Sequence, residues 1–139
     1  MKREILFRAK CFGNWRYGSY LHFEKKPINS RLNINYKDFI ITNESDGEHY
    51  YPITDLSSIG QYTGLTDKNG KEIYEGDILR TGSTSNLTVE VVYNEEDTSF
   101  VLKLTSINEV SARSLGSWLS LGYECTIIGN VYDNPELMK

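Results

Sequence analysis

At 139 residues, with 39% hydrophobic and 12% aromatic content, the chain is long enough for one domain with a sizeable core and too apolar to be disordered. Its formal net charge of −4 is unlike the strongly basic balance of a typical nucleic-acid binder. No apolar run approaches a membrane span, and the opening MKREILFRAK is charged on both sides of a short apolar run, which excludes a signal peptide and predicts a cytoplasmic protein.

In chain order, residues 3–9 alternate, with Ile5, Phe7 and Ala9 on one face and Glu4 and Arg8 on the other, the pattern of a half-buried strand. Residues 11–14, with Gly13, read as a turn. Residues 15–23 alternate again: Trp15, Tyr17, Leu21 and Phe23 point to a core, Arg16, His22 and Glu24 away from it. Lys25-Lys26-Pro27 ends that strand, because proline cannot donate to a ladder. Leu32, Ile34 and Tyr36 alternate with polar neighbours, and Phe39-Ile40-Ile41 continue after a kink at Lys37-Asp38. Residues 43–48 form a loop and residues 50–53 a short extended piece. Residues 54–58 read as a single helical turn capped by Thr54 or Asp55.

The most distinctive stretch is residues 60–80, GQYTGLTDKNGKEIYEGDILR. Asp67-Lys68-Asn69-Gly70 reads as a hairpin turn, since Asn and Gly tolerate positive φ. Glu75-Gly76-Asp77 reads as a second corner, with Gly76 supplying the backbone freedom and the Asp77 carboxylate bonding turn amides. Beyond a small-polar loop over 81–86, Leu87, Val89, Val91 and Tyr93 alternate, as do Phe100, Leu102 and Leu104, around an acidic tip at 94–98. A turn or two of helix is expected over 108–115. Trp118, Leu119 and Leu121 then plug one end of a barrel, and residues 124–132 form the last long strand. Asn134-Pro135 opens a closing helical turn. About eight to ten short strands without a long amphipathic helix suit a barrel or sandwich.

The block IGQYTGLTDKNGKEIYEGDIL resembles the YopX-type proteins of bacteriophages and bacterial prophages. REILFRA at 3–9 is similar to that family's opening strand, and IIGNVYDNPEL at 127–137 to its closing strand and tail. Residues 11–58 and 81–122 match loosely, and Lys10-Cys11-Phe12 stands where the family's usual aromatic is expected. The resemblance implies an all-β, mainly antiparallel fold, an SH3-like pseudo-barrel with small helical cap segments, over a single domain of residues 1–139. It implies no established activity, so no functional residue is carried over from it.

The chemistry-bearing residues are sparse. Cys11 and Cys125 make no zinc site without a CxxC or a Cys/His cluster, and read as reduced thiols in or near the core. His22 and His49 lie far apart in sequence, and a Cys/His dyad has no local support. P-loop, GxSxG, HExxH and EF-hand signatures are absent. Glu75 and Asp77 could act as an acid–base pair in a pocket with Tyr62 and Tyr74, or hold a metal, but carboxylates beside a turn glycine mostly bond local amides. The acidic groups Asp46, Glu48 and Asp55, and Glu95, Glu96 and Asp97, read as solvated loops. No cofactor or metal is expected.

Charge is unevenly distributed. Residues 1–40 carry nine Lys/Arg against three Asp/Glu, a balance of +6; residues 41–139 carry six against sixteen, a balance of −10. Two complementary surfaces that meet within the fold or between subunits explain such a split. Hence the first reading is a non-enzymatic homo-oligomer acting through protein–protein contact, with a phage or host protein as a further partner and no membrane. The alternative is a single-stranded nucleic-acid-binding protein. It would use Arg8, Arg16, Lys25 and Lys26 with Tyr20, and Phe12 as a second candidate, for stacking, Trp15 and Tyr17 being assigned to the core.

Overall fold

The computed structural model describes residues 3–26, 35–82, 87–105 and 109–138. Among them are eleven strands, one short α-helix and a closing 3-10 turn. The strand expected through Leu32 and Ile34 and most of the polar loop over 81–86 lie outside the described residues. The chain packs as two compact units, Met1–Tyr62 and Thr63–Lys139.

In the first unit β1 (Phe7–Cys11) and β2 (Asn14–His22) form a hairpin around Phe12 and Gly13. Both turn residues have positive φ, 51° and 82°, the signature of a tight two-residue turn whose twist matches the strands. β3 (Asp38–Glu44) and β4 (Gly47–Pro52) form a second hairpin around Ser45 and Asp46, tighter than the expected loop. β5 (Asp55–Thr66) begins in this unit, and the strand order is β4-β3-β2-β1-β5. The helical turn expected at 54–58 is the start of β5. Lys10 pairs with Asp55 but Arg8 with Gly60, so extra β5 residues bulge opposite Ala9. The Ser58 hydroxyl fills the gap in the ladder, accepting from the Lys10 N–H at 2.7 Å and donating to the Asp55 carbonyl at 2.6 Å. The same Asp and Ser side chains that suggested a helix cap thus serve a bulge.

Ala9, Cys11, Ile40 and Ile53 form the core of this unit, with Phe7, Tyr20, Tyr51 and Ile59 packed on them. β2 runs so close to β3 at Gly18 that a Cβ there would lie 2.1 Å from the Ile41 carbonyl oxygen. Tyr17, expected in the core, is 48% exposed.

In the second unit the end of β5 is followed by β6 (Glu72–Tyr74) and a sheet of β7 (Asp77–Thr81), β8 (Leu87–Asn94), β9 (Ser99–Leu104), β10 (Val110–Ser114) and β11 (Cys125–Asn130). Its order is β10-β9-β8-β7-β11. The helix expected over 108–115 gives way to β10, and the helix α1 (Leu115–Ser120) follows it, capped by the Ser114 hydroxyl, which accepts from the Ser117 N–H at 3.1 Å. Leu115 is fully buried with Ile73, Leu79, Val89, Val91, Leu102 and Cys125, and Trp118 and Leu119 pack on that core. Leu121, expected beside them, is 56% exposed. The closing 3-10 turn, Pro135–Met138, falls where Asn134-Pro135 places it.

The all-β antiparallel architecture with short helical caps is as expected. The barrel is not closed. Closure needs the first and last strands of a sheet to pair, whereas the two sheets here are open rows with distinct end strands.

Candidate functional site

The central block is held by two of its four carboxylates, Asp67 and Asp77. Asp67, 6% exposed, accepts the Asn69 and Lys71 N–H groups on Oδ1, each at 2.9 Å, and the Ile127 N–H on Oδ2 at 3.1 Å. Burial pushes its pKa up, but the bonds from Ile127, Lys71 and Asn69 outweigh this and hold it below the usual value. The Lys68 N–H donates to the Cys125 carbonyl at 3.1 Å. These two bonds occupy backbone groups of β11, the end strand of its sheet, as a protected sheet edge requires. At the second corner Gly76 has φ 93°, and Asp77 accepts the Tyr74 N–H at 2.7 Å. Tyr74 and Asp77 are both buried. Asp67 and Asp77 thus accept backbone amides.

The residues considered for nucleic acid all lie in the first unit, but not together. Across the β1–β2 ladder Arg8 faces Tyr17 and Lys10 faces Trp15, so these four share one face; Arg16 faces Ala9 and belongs to the other. Arg8 is 5% exposed, its guanidinium 4.7 Å from the Trp15 ring centre, and the Lys10 ammonium lies 5.3 Å from the same ring. Arg16 lies 4.1 Å over Tyr51, whose ring also stacks with His49 and whose hydroxyl donates to Glu44 at 2.7 Å. The Tyr20 hydroxyl donates to Asp38 at 2.6 Å; burial first, then that bond, pushes its pKa up to about 12. Lys25 and Lys26 are exposed beyond the end of β2. Residues 1–62 hold nine Lys/Arg and seven Asp/Glu, so Glu44, Asp46, Glu48 and Asp55 offset most of the N-terminal positive charge within the same unit.

Two histidine–carboxylate pairs are not visible in the sequence pattern: strand pairing sets His22 beside Asp38, and the β3–β4 turn folds His49 back onto Asp46, three residues before it. His22 Nδ1 lies 2.7 Å from the buried Asp38, and His49 Nε2 lies 2.6 Å from Asp46. The bond to Asp46 raises the His49 pKa, and the Tyr51 hydroxyl lowers that of Glu44. Among the described residues no group of three His, Cys, Asp or Glu side chains is placed to hold a metal. Burial pushes the Cys11 thiol up to about 11 against the pull of Arg16, and pushes Cys125, beside Asp67, to about 11 as well. Both cysteines are free and buried, and thiols so protonated are poor nucleophiles.

The second unit has an apolar cleft of about 220 Å³. Val89, Leu102, Leu104 and Trp118 line it, and Leu87 and Val110, 50% and 51% exposed, lie along it beside Glu109. Val110 also borders a shallow depression with Tyr93, Glu95 and Glu96 from the acidic β8–β9 tip. Alternation predicted these strands, but it does not say which apolar face stays uncovered.

The model of the family described as YopX protein matches residues 6–139. The chain is also similar in structure to a protein from Enterococcus faecalis, described as the crystal structure of protein EF1440. The two share 22% identity over 99% of this chain and 100% of that one, with a TM-score of 0.49. No curated protein matches the chain. Among the described residues no helix is long and apolar enough to cross a membrane.

Proposed function

The chain belongs to the YopX protein family, and from that premise we propose that it is a prophage-type, non-enzymatic β-protein that works in the cytoplasm by protein–protein contact and assembles with copies of itself. The observation that carries this reading is the apolar cleft of the second unit, flanked by Leu87 and Val110 at 50% and 51% exposure. An apolar concavity with half-exposed aliphatic sides is the usual mark of a contact surface. The rest of the chemistry supports it. Asp67 and Asp77 accept backbone amides, and burial holds both thiols protonated. A phage or host protein is the further partner.

Light scattering over a concentration series tests the reading. The expected mass is a multiple of 16.0 kDa, reduced by salt to the extent that charge contributes. A 16.0 kDa species at every concentration overturns it. Salt-sensitive binding of single-stranded DNA, lost on charge reversal of the exposed Lys25 and Lys26, would move the conclusion to nucleic acid.

A further inference from the structure

The tip of the β1–β2 hairpin is built against turn chemistry. A two-residue turn with both residues at positive φ favours Asn-Gly, because bulky side chains crowd the backbone there. This chain places Phe12 at the first position with φ 51° and leaves it 61% exposed, with an edge-on contact to Tyr36 at 5.9 Å. A bulky apolar residue in a strained backbone position, facing water, costs stability without filling the core. Such strain points to a use outside the fold.

We infer that Phe12 of one copy seats in the apolar cleft of the second unit of another copy. The inference rests on the self-association reading above and names its contact. The cleft is concave, apolar and lined on one wall by Trp118, a suitable partner for an aromatic ring. Charge is complementary. Residues 1–62, which carry Phe12, hold nine Lys/Arg against seven Asp/Glu, a balance of +2, while Glu109 lies at the cleft and Glu95 and Glu96 lie close to Val110. Residues 63–139 carry six Lys/Arg against twelve Asp/Glu, so the receiving unit is acidic at −6. A contact between two different surfaces is head-to-tail, which closes into a ring or extends as a fibre.

Phe12→Asn separates the two roles of the residue. Asn is the preferred residue of this turn, so the variant is expected to unfold at a higher denaturant concentration than the wild type, yet to run at 16.0 kDa in light scattering. Val110→Asp is expected to lose assembly as well. Leu121→Asp, at an exposed position that does not line the cleft, keeps it. Oxidation of a mixture of Phe12→Cys and Val110→Cys chains carrying different tags is expected to give the mixed disulfide between copies. The native Cys11 and Cys125, 3% and 2% exposed, stay out of the reaction. Assembly that persists in Phe12→Asn, or a disulfide formed only between two Phe12→Cys chains, overturns this contact and leaves self-association standing. A monomeric wild type overturns both.

Discussion

Asp67 ties the turn after β5 to a strand 60 residues further on, and removing its carboxylate measures what that tie contributes to stability. In Asp67→Ala the Asn69 and Lys71 amides, on exposed residues, regain water, while the half-buried Ile127 amide is left short. A hydrogen bond to a charged acceptor contributes about 1.5–3 kcal/mol, so one full loss and two partial ones put the variant at about 3 kcal/mol of destabilisation. Asp67→Asn keeps an oxygen for Asn69 and Lys71 but turns an NH2 toward the Ile127 N–H, a loss of about 1.5 kcal/mol. The sign with pH follows from the lowered pKa. A carboxylate whose folded pKa lies below its unfolded value stabilises fully above the unfolded value and loses that contribution as pH falls through the folded one. The gap between wild type and Asp67→Asn is therefore full at pH 6–7 and closes below about pH 4. Urea denaturation across that range measures it, and hydrogen exchange at the Ile127 amide should quicken in both variants. An Asp67→Asn midpoint equal to that of the wild type at pH 7, or a gap that widens in acid, refutes the reasoning.

Three further outcomes are expected. Gly18→Ala should destabilise by about 1–3 kcal/mol in chemical denaturation, because its Cβ would lie 2.1 Å from the Ile41 carbonyl and a strand must shift; strand propensity alone predicts the opposite sign. Glu90→Gln should match the wild type in acid and exceed its melting temperature at pH 7. Burial, opposed by Lys103 and helped by Glu75, raises the Glu90 pKa, so the folded state loses stability as pH rises through that value. Cys11 and Cys125 should resist iodoacetamide at pH 8 in the native protein and react promptly in urea, read by mass spectrometry.

Local chemistry was the legible part of the sequence. Gly13, Asn69-Gly70, Gly76-Asp77 and Asn134-Pro135 each mark a turn whose geometry one or two residues determine, and each turn is present. Non-local pairing was harder to see. The Asp55–Ser58 segment carries capping residues, yet it bulges against β1 because the ladder at Lys10 needs the Ser58 oxygen. Leu115, Trp118 and Leu119 have helical spacing, but Gly116 and two serines thin the signal, and the helix lies at Leu115–Ser120, beyond the expected 108–115. Tyr17 alternates with polar neighbours like a core residue; the ladder sets it opposite Arg8 on a face that is half open. The candidate nucleic-acid residues looked contiguous because they are close in sequence. Strand alternation puts Arg8 and Arg16 on opposite faces, and Asp38 takes the Tyr20 hydroxyl. The apolar cleft was invisible for a related reason: its lining residues alternate like any core strand, and only tertiary packing decides which of them stay uncovered.

The most direct test compares the weight-average mass of the wild type with that of Val110→Asp over one concentration series by light scattering. Contact through the apolar cleft predicts a multiple of 16.0 kDa for the wild type and 16.0 kDa for the variant. A single 16.0 kDa species for both, or the same larger mass for both, contradicts it.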